Sequence, residues 1–277
     1  MIENILWIAV SLMVASSIIT EKYKIHKAIG GTGWLVFSVH WFLQPLHYIK
    51  INDYFNVILT IGIGVFCILL SYTMIKEYRM LPGEATFTSG STDVTTMATI
   101  ATALGSVFYF PFSQIPVLNE WLIEVVTQQV VWILHTLGYP AEMTSWNLIT
   151  LNGYTVKIIL ACTAIESIAL FTGLIIAVTA PIKKLFTAFM VSVPVIYGLN
   201  LFRDVFVVVA YAHQWFGPNS FDIAHHVIAK SGAGVVLLVI AFIVLRILPE
   251  LLELIEGLWQ IINNQAQAIL NKIVGNQ

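Results

Sequence analysis

Cys162, Arg203 and the pair His225-His226 carry the side-chain types that acyl transfer needs. A thiol is a stronger nucleophile than a hydroxyl, but only its thiolate attacks, and a neighbouring cation favours that form. An imidazole takes the thiol proton and returns it to a departing amine. A guanidinium stays charged and donates in a fixed fork, which suits the oxyanion of a tetrahedral intermediate. Taken singly, each residue has a plainer reading. A lone Cys on an apolar helix is often a packing residue. Arg203 can reach lipid headgroups or pair with Asp204, and the histidines can cap a helix at an interface. What joins the three is the depth at which their helices deliver them.

Those helices must lie in a bilayer. Of the 277 residues, 58% are hydrophobic and only 10% charged, against about 45–50% and about 25% in ordinary globular domains. The net charge of −2 offers no basic field for nucleic acid, and two cysteines cannot staple a disulfide scaffold. The apolar excess also excludes disorder. A hydrocarbon core of about 30 Å takes about 20 apolar residues per helix. Runs of that kind lie near 5–19, 33–49, 55–74, 94–112, 161–180, 185–202 and 225–245, with charged residues such as Glu21, Lys22, Lys50, Lys76 and Arg246 at their ends and a polar loop at 81–91. The first run has no positive flank before it, so it is expected to be a retained helix.

Alternating seven spans from an outside N-terminus puts Lys22, Lys24, Lys27, Lys76, Arg79, Lys183, Lys184, Arg246 and Lys272 inside, leaving Lys50, Lys157, Arg203 and Lys230 outside. That bias is the one cytoplasmic ends carry. It sets Cys162, Arg203 and His225/His226 at the outer ends of the fifth, sixth and seventh spans. Two further helices are expected to lie on the membrane: an outer interfacial helix at 119–137 and an amphipathic cytoplasmic tail at 248–273. Asn152-Gly153 between apolar residues predicts a small extracellular hairpin within 146–159. The fold class is therefore an all-α polytopic membrane protein, one domain in four stretches: 1–113, 114–160, a three-helix core at 161–247 and the tail at 248–277.

The remaining candidates carry less. Cys67 sits mid-span among apolar residues and reads as packing, so Cys162 is expected to be a free thiol. His40 and His47 share a helix face, but no acidic or thiol ligand stands beside them. His135 and His213 read as interfacial. Glu166, one helical turn from Cys162, could tune the site, with Ser167 next to it. No metal or cofactor motif is present in the sequence. Two other functions fit the same residues: a membrane protease or acyltransferase with water or an amine as acceptor, and a small transporter lined by Arg203 and the histidines. Seven spans divide poorly into inverted halves, and only Pro194 and Gly198 interrupt a relevant helix, which disfavours the transporter.

Three segments together resemble the exosortase/archaeosortase family. They are Ala161-Cys162-Thr163-Ala164-Ile165-Glu166-Ser167, Asn200-Leu201-Phe202-Arg203, and the stretch from His225-His226 to Ser231-Gly232. The resemblance is strongest over 152–252. It implies a membrane-embedded cysteine transpeptidase, analogous to sortases in chemistry and unrelated in fold. The implied partners are secreted surface proteins, S-layer glycoproteins among them, that end in a Pro-Gly-Phe-type motif, one transmembrane segment and a basic tail. The implied acceptor is an archaeal membrane lipid, with no cofactor. On this resemblance Cys162 is the nucleophile, Arg203 the family's arginine and His226 the third group, with His225 its nearest competitor and Asn200 a supporting residue. Such a signal presents its cleavage motif at the outer interface, where the charge bias also places the three. At α-helical spacing the two histidines stand about 100° apart, so only one is expected to face Cys162.

Overall fold

Apolar length decides most of the elements. The structure, a computed structural model, describes residues 2–19, 24–50, 52–80, 88–89 and 92–274; Glu21, Lys22 and most of the 81–91 loop lie outside the described residues. Helices α1 (Ile2–Ile18), α2 (Ile25–Leu43), α3 (Pro45–Lys50) and α4 (Tyr54–Arg79) come first. A short antiparallel pair, β1 (Thr88–Ser89) and β2 (Thr92–Asp93), precedes α5 (Val94–Gln114) and α6 (Pro116–Thr136). Strands β3 (Glu142–Ser145), β4 (Leu148–Leu151) and β5 (Tyr154–Lys157) follow, then α7 (Ile165–Ala177) and α8 (Ile182–Ala212). The chain closes with α9 (Ser220–Asp222), a π-helical stretch at Ile223–Ala229, α10 (Lys230–Ile247) and α11 (Glu250–Val274). Among the described residues, α4, α5, α8 and the run Gly217–Ile247 are long and apolar enough to cross a bilayer, and Asn4–Ile18 and α7 are shorter apolar helices. The protein is an all-α polytopic membrane protein.

The chain packs as two compact units. The first comprises residues 1–106, 176–179 and 249–277. In it α2 lies against both α1 and α4. Glycines permit the close approach: a Cβ on Gly30 would stand 2.6 Å from Met74 Cε and 2.7 Å from Ser16 Oγ. Ser71 Oγ donates to the Gly31 carbonyl at 2.7 Å. The tail helix α11 buries Leu251, Leu254 and Ile261 on one face, as an amphipathic period requires. Its Gln265 Nε2 donates to Thr73 Oγ1 of α4 at 2.5 Å.

Lys27, counted above among the inside basic residues, is buried in this unit. Its Nζ donates to Glu77 Oε2 and to Thr95 Oγ1, each at 2.6 Å, and pairs with Asp93. Asp93 Oδ1 also caps α5, accepting from the backbone N–H of Thr95 and of Thr96, each at 3.1 Å. The charge is tolerated inside because two carboxylates and a hydroxyl surround it. Burial tends to raise the Asp93 pKa, but the Lys27 ammonium and these hydrogen bonds hold it below the usual carboxylate value. His40, in the same unit, stacks on Phe37 at 6.2 Å, and Gln44 Nε2 lies 3.2 Å from its Nε2. Cys67 is fully buried.

The second unit comprises residues 107–175 and 180–248. Its core joins α6, the β3-β4-β5 sheet and α8 through Ile123, Val126, Ile149, Leu151, Val205 and Val208. The expected hairpin forms: Leu151 pairs with Tyr154 across Asn152-Gly153, whose φ values are 51° and 81°, the left-handed pair of a type I′ turn. A third strand, β3, adds to it with an irregularity between Met143 and Ser145. His135 Nε2 lies 2.6 Å from the Ala141 carbonyl, and His213 Nδ1 lies 3.0 Å from that of Val209, so both imidazoles serve local backbone.

Three boundaries differ from the sequence expectation. The second segment, expected at 33–49, begins at Ile25 and divides at Gln44 into α2 and α3, so His40 and His47 lie on separate helices. The fifth segment does not begin its helix at 161: residues Leu160–Cys162 form a 3-10 turn, Ala164 has φ 60°, and α7 starts at Ile165. The sixth does not stop at Arg203. At 1.5 Å per residue, the 31 residues of α8 make a rod of about 46 Å, continuing nine residues past Arg203 to Ala212. Arg203 does not end the helix: its charge pairs with the adjacent Asp204 at 2.8 Å, and the mostly apolar run 205–212 continues the helical stretch.

Candidate active site

Four local structures of the second unit meet at one cleft of about 910 Å³. The 3-10 turn contributes Leu160 and Ala161, and the start of α7 contributes Glu166 and Ser167. The middle of α8 contributes Asn200 and Arg203, and the last helical run contributes His225, His226 and Lys230. Most of the remaining lining is apolar, including Ile196, Leu199 and Leu237.

Cys162 stands behind this wall. Ala161 before it and Ala164 after it line the cleft, while its own side chain is 7% exposed and belongs to the apolar cluster with Ile123, Val126 and Val205. Asn200 Nδ2 donates to the Cys162 carbonyl at 2.6 Å, tying the turn to α8. A 3-10 turn ending in a left-handed residue leaves this carbonyl outside the α-helical ladder. Cys162 lies ahead of α7, outside the helical spans. Burial pushes its thiol above the ordinary value; a backbone hydrogen bond at Ile159 and the Arg203 charge oppose this, and the Asp204 charge adds to it.

Arg203 is held from one side. Its Nε and one terminal nitrogen donate to Asp204 Oδ1 at 3.2 and 2.8 Å, and its side chain keeps 21% of its exposure. His225 stacks on Phe221, 5.3 Å between centroids with planes at 30°. Phe221 in turn meets Tyr211 at 5.3 Å, and Tyr211 meets Tyr154 of β5 at 5.0 Å, so the sheet and the histidine share one row of rings. His226 is exposed, with Nδ1 3.3 Å from Asp222 Oδ1. The two imidazoles lie 4.8 Å apart, and both line the cleft. A π-helix has more residues per turn than an α-helix, so neighbours diverge less. Both imidazoles therefore reach the cleft wall, although they were expected about 100° apart.

Glu166 is not one helical turn from Cys162, because Ala164 breaks the helix between them. Its Oε1 accepts from Tyr109 OH at 3.2 Å. The expected set thus divides. Arg203, His225, His226, Asn200, Glu166 and Ser167 share the cleft, and Cys162 joins through its backbone.

A family model described as Transmembrane exosortase (Exosortase_EpsH) matches residues 4–247. The chain belongs to the transmembrane exosortase family. Archaeosortase A of Haloferax volcanii is 24% identical, with 96% of each chain covered. Archaeosortase A of Natronomonas pharaonis is 27% identical over 83% of this chain and 78% of its own length. No solved structure matches.

Several contributors to this exosortase-family cleft were not singled out from the sequence. Asp204 was weighed only as a neutraliser, yet it also stands within 3.4 Å of Asn200 Nδ2. Phe221 and Asp222 each precede a histidine by four residues, a spacing that places side chains together on a helix. That spacing was the available signal. Tyr109 and the π-helical register had none.

Proposed function

We propose that this exosortase-family protein is a membrane cysteine transpeptidase that processes a C-terminal sorting signal on secreted surface proteins. The observation that carries the reading is the Asn200–Cys162 carbonyl bond, which ties the thiol's turn to the wall where Arg203 and both histidines converge. In this reading seven helices cross the membrane from an outside N-terminus, and the cleft opens at the extracellular face. The resting thiol is protonated, since burial disfavours its thiolate. Attack therefore requires Cys162 to turn from the apolar cluster toward the cleft and an imidazole to take its proton.

The chemistry then balances in two halves. Cys162 Sγ bonds to the scissile carbonyl carbon, His226 accepts the thiol proton, and Arg203 faces the oxyanion. The C–N bond breaks as the imidazolium gives its proton to the departing amine, leaving a thioester. A lipid hydroxyl or amine attacks that carbonyl, the imidazole takes its proton, and the thiol is released. The mostly apolar cleft lining supports entry of a lipid-anchored acceptor.

The test is substitution in the native host, following the size and lipid attachment of surface proteins that end in a single span. Cys162→Ala and Cys162→Ser should both abolish processing, and normal processing in the Ala variant would overturn the cysteine mechanism. Cleavage without lipid attachment in the wild type would assign water as acceptor. His226→Ala should slow turnover far more than His225→Ala; the reverse would transfer the proton-carrying role to His225.

A further inference from the structure

Arg203 and Asp204 are neighbours on a helix, where adjacent side chains ordinarily point about 100° apart. Here the guanidinium folds back so that two of its nitrogens reach one oxygen, Oδ1, of Asp204. The other oxygen, Oδ2, lies 3.4 Å from Nδ2 of Asn200, one helical turn earlier. The same Nδ2 donates to the Cys162 carbonyl at 2.6 Å. Asp204 is itself 5% exposed, so its charge is directed to these two partners rather than to water. Neutralising Arg203 would occupy Oδ1 alone.

We infer that Asp204 is a positioning residue for the transpeptidation centre, one carboxylate that orients the Arg203 guanidinium through Oδ1 and the Cys162 turn, via Asn200, through Oδ2. It touches neither thiol nor substrate. It fixes the distance between the group that attacks and the group that receives the oxyanion. The inference rests on the reading of Cys162 as nucleophile. It also has a two-sided consequence. The Asp204 carboxylate opposes thiolate formation while it aligns the machinery, so its removal should make the thiol more reactive to small reagents and the enzyme slower.

The experiment uses the full chain in vesicles of host lipid. A co-reconstituted reporter ends in a Pro-Gly-Phe motif, one transmembrane helix and a basic tail. Steady-state processing is measured alongside iodoacetamide labelling of the Cys162 peptide at fixed pH, quantified by mass spectrometry. Asp204→Asn should lower kcat about 10- to 100-fold, the range for losing a charge-assisted hydrogen bond. KM should stay within about twofold, and labelling should rise several-fold. Asp204→Glu should return labelling to the wild-type rate and recover part of kcat. Opposite movement of kcat and labelling supports the inference, and any other combination overturns it. Failure to recover folded Asp204→Asn, where Arg203→Gln is recovered folded, assigns Asp204 to folding and likewise overturns it. Cys162→Ala runs in parallel: activity there would sink the nucleophile reading itself, whereas an inactive Cys162→Ala beside a wild-type Asp204→Asn would sink only the role of Asp204.

Discussion

The two units each hide an ionic cluster, and the two are built differently. In the first unit Lys27 is enclosed by Glu77, Asp93 and Thr95, and the three residues it meets belong to different elements. In the second, Arg203 is bonded, among the described residues, to Asp204 alone and also lines a cleft. A closed cluster has spent its hydrogen-bonding capacity on the fold and behaves as a clasp. An open one keeps donors in reserve, and that reserve is what a reaction can use. An ionisable residue in an apolar chain thus signals function according to the number of its partners, not by its presence alone.

This contrast can be broken by substitution. The largest effect should fall on the clasp: Lys27→Met leaves buried carboxylates uncompensated and should destabilise the first unit by about 3–5 kcal/mol. Thermal unfolding in detergent reads this, and Lys27→Met/Glu77→Leu should recover part of the loss. A single variant that melts with the wild type would make the cluster ornamental. Next, Arg203→Gln should spare the melting temperature and reduce processing about 10²- to 10³-fold, the scale of removing an oxyanion donor. If stability fell instead, the open cluster would also be a clasp. The smallest effect sharpens the first cluster by pH. The folded pKa of Asp93 is depressed, so its stabilisation is complete above the unfolded value of about 3.9 and is lost as pH falls through the folded value. The melting temperature should therefore drop on acidification, and Asp93→Asn should drop less; parallel curves would remove Asp93 from the account.

Much of the architecture is legible in the sequence because apolar runs ended by charge have few alternatives in a bilayer. The tail helix and the Asn152-Gly153 hairpin are legible for similar reasons: each carries a periodic or conformational demand of its own. What escaped depends on distant partners. Lys27 looks like a loop charge until Glu77, fifty residues on, is placed beside it. Arg203 looks like a helix end, yet α8 runs on past it and Asp204 pairs its charge. Strand β3 has a short, mostly polar sequence and exists because β4 offers it an edge. At the site, residue types were legible and relative presentation was not, since the π-helical register of His225 and His226 has no signature in one sequence.

The bend at Ala164 also restricts which sequences this site can accept. A residue with φ 60° sits where glycine is at ease, alanine is held at a modest cost, and a β-branched side chain is strongly disfavoured. Two residues after the thiol, the chain therefore filters substitutions by shape rather than by chemistry. Ala164→Gly should pass that filter and Ala164→Val should not, though neither touches a proton or a charge. Variation at this position, where it occurs, would be confined to a few small or αL-tolerant residues.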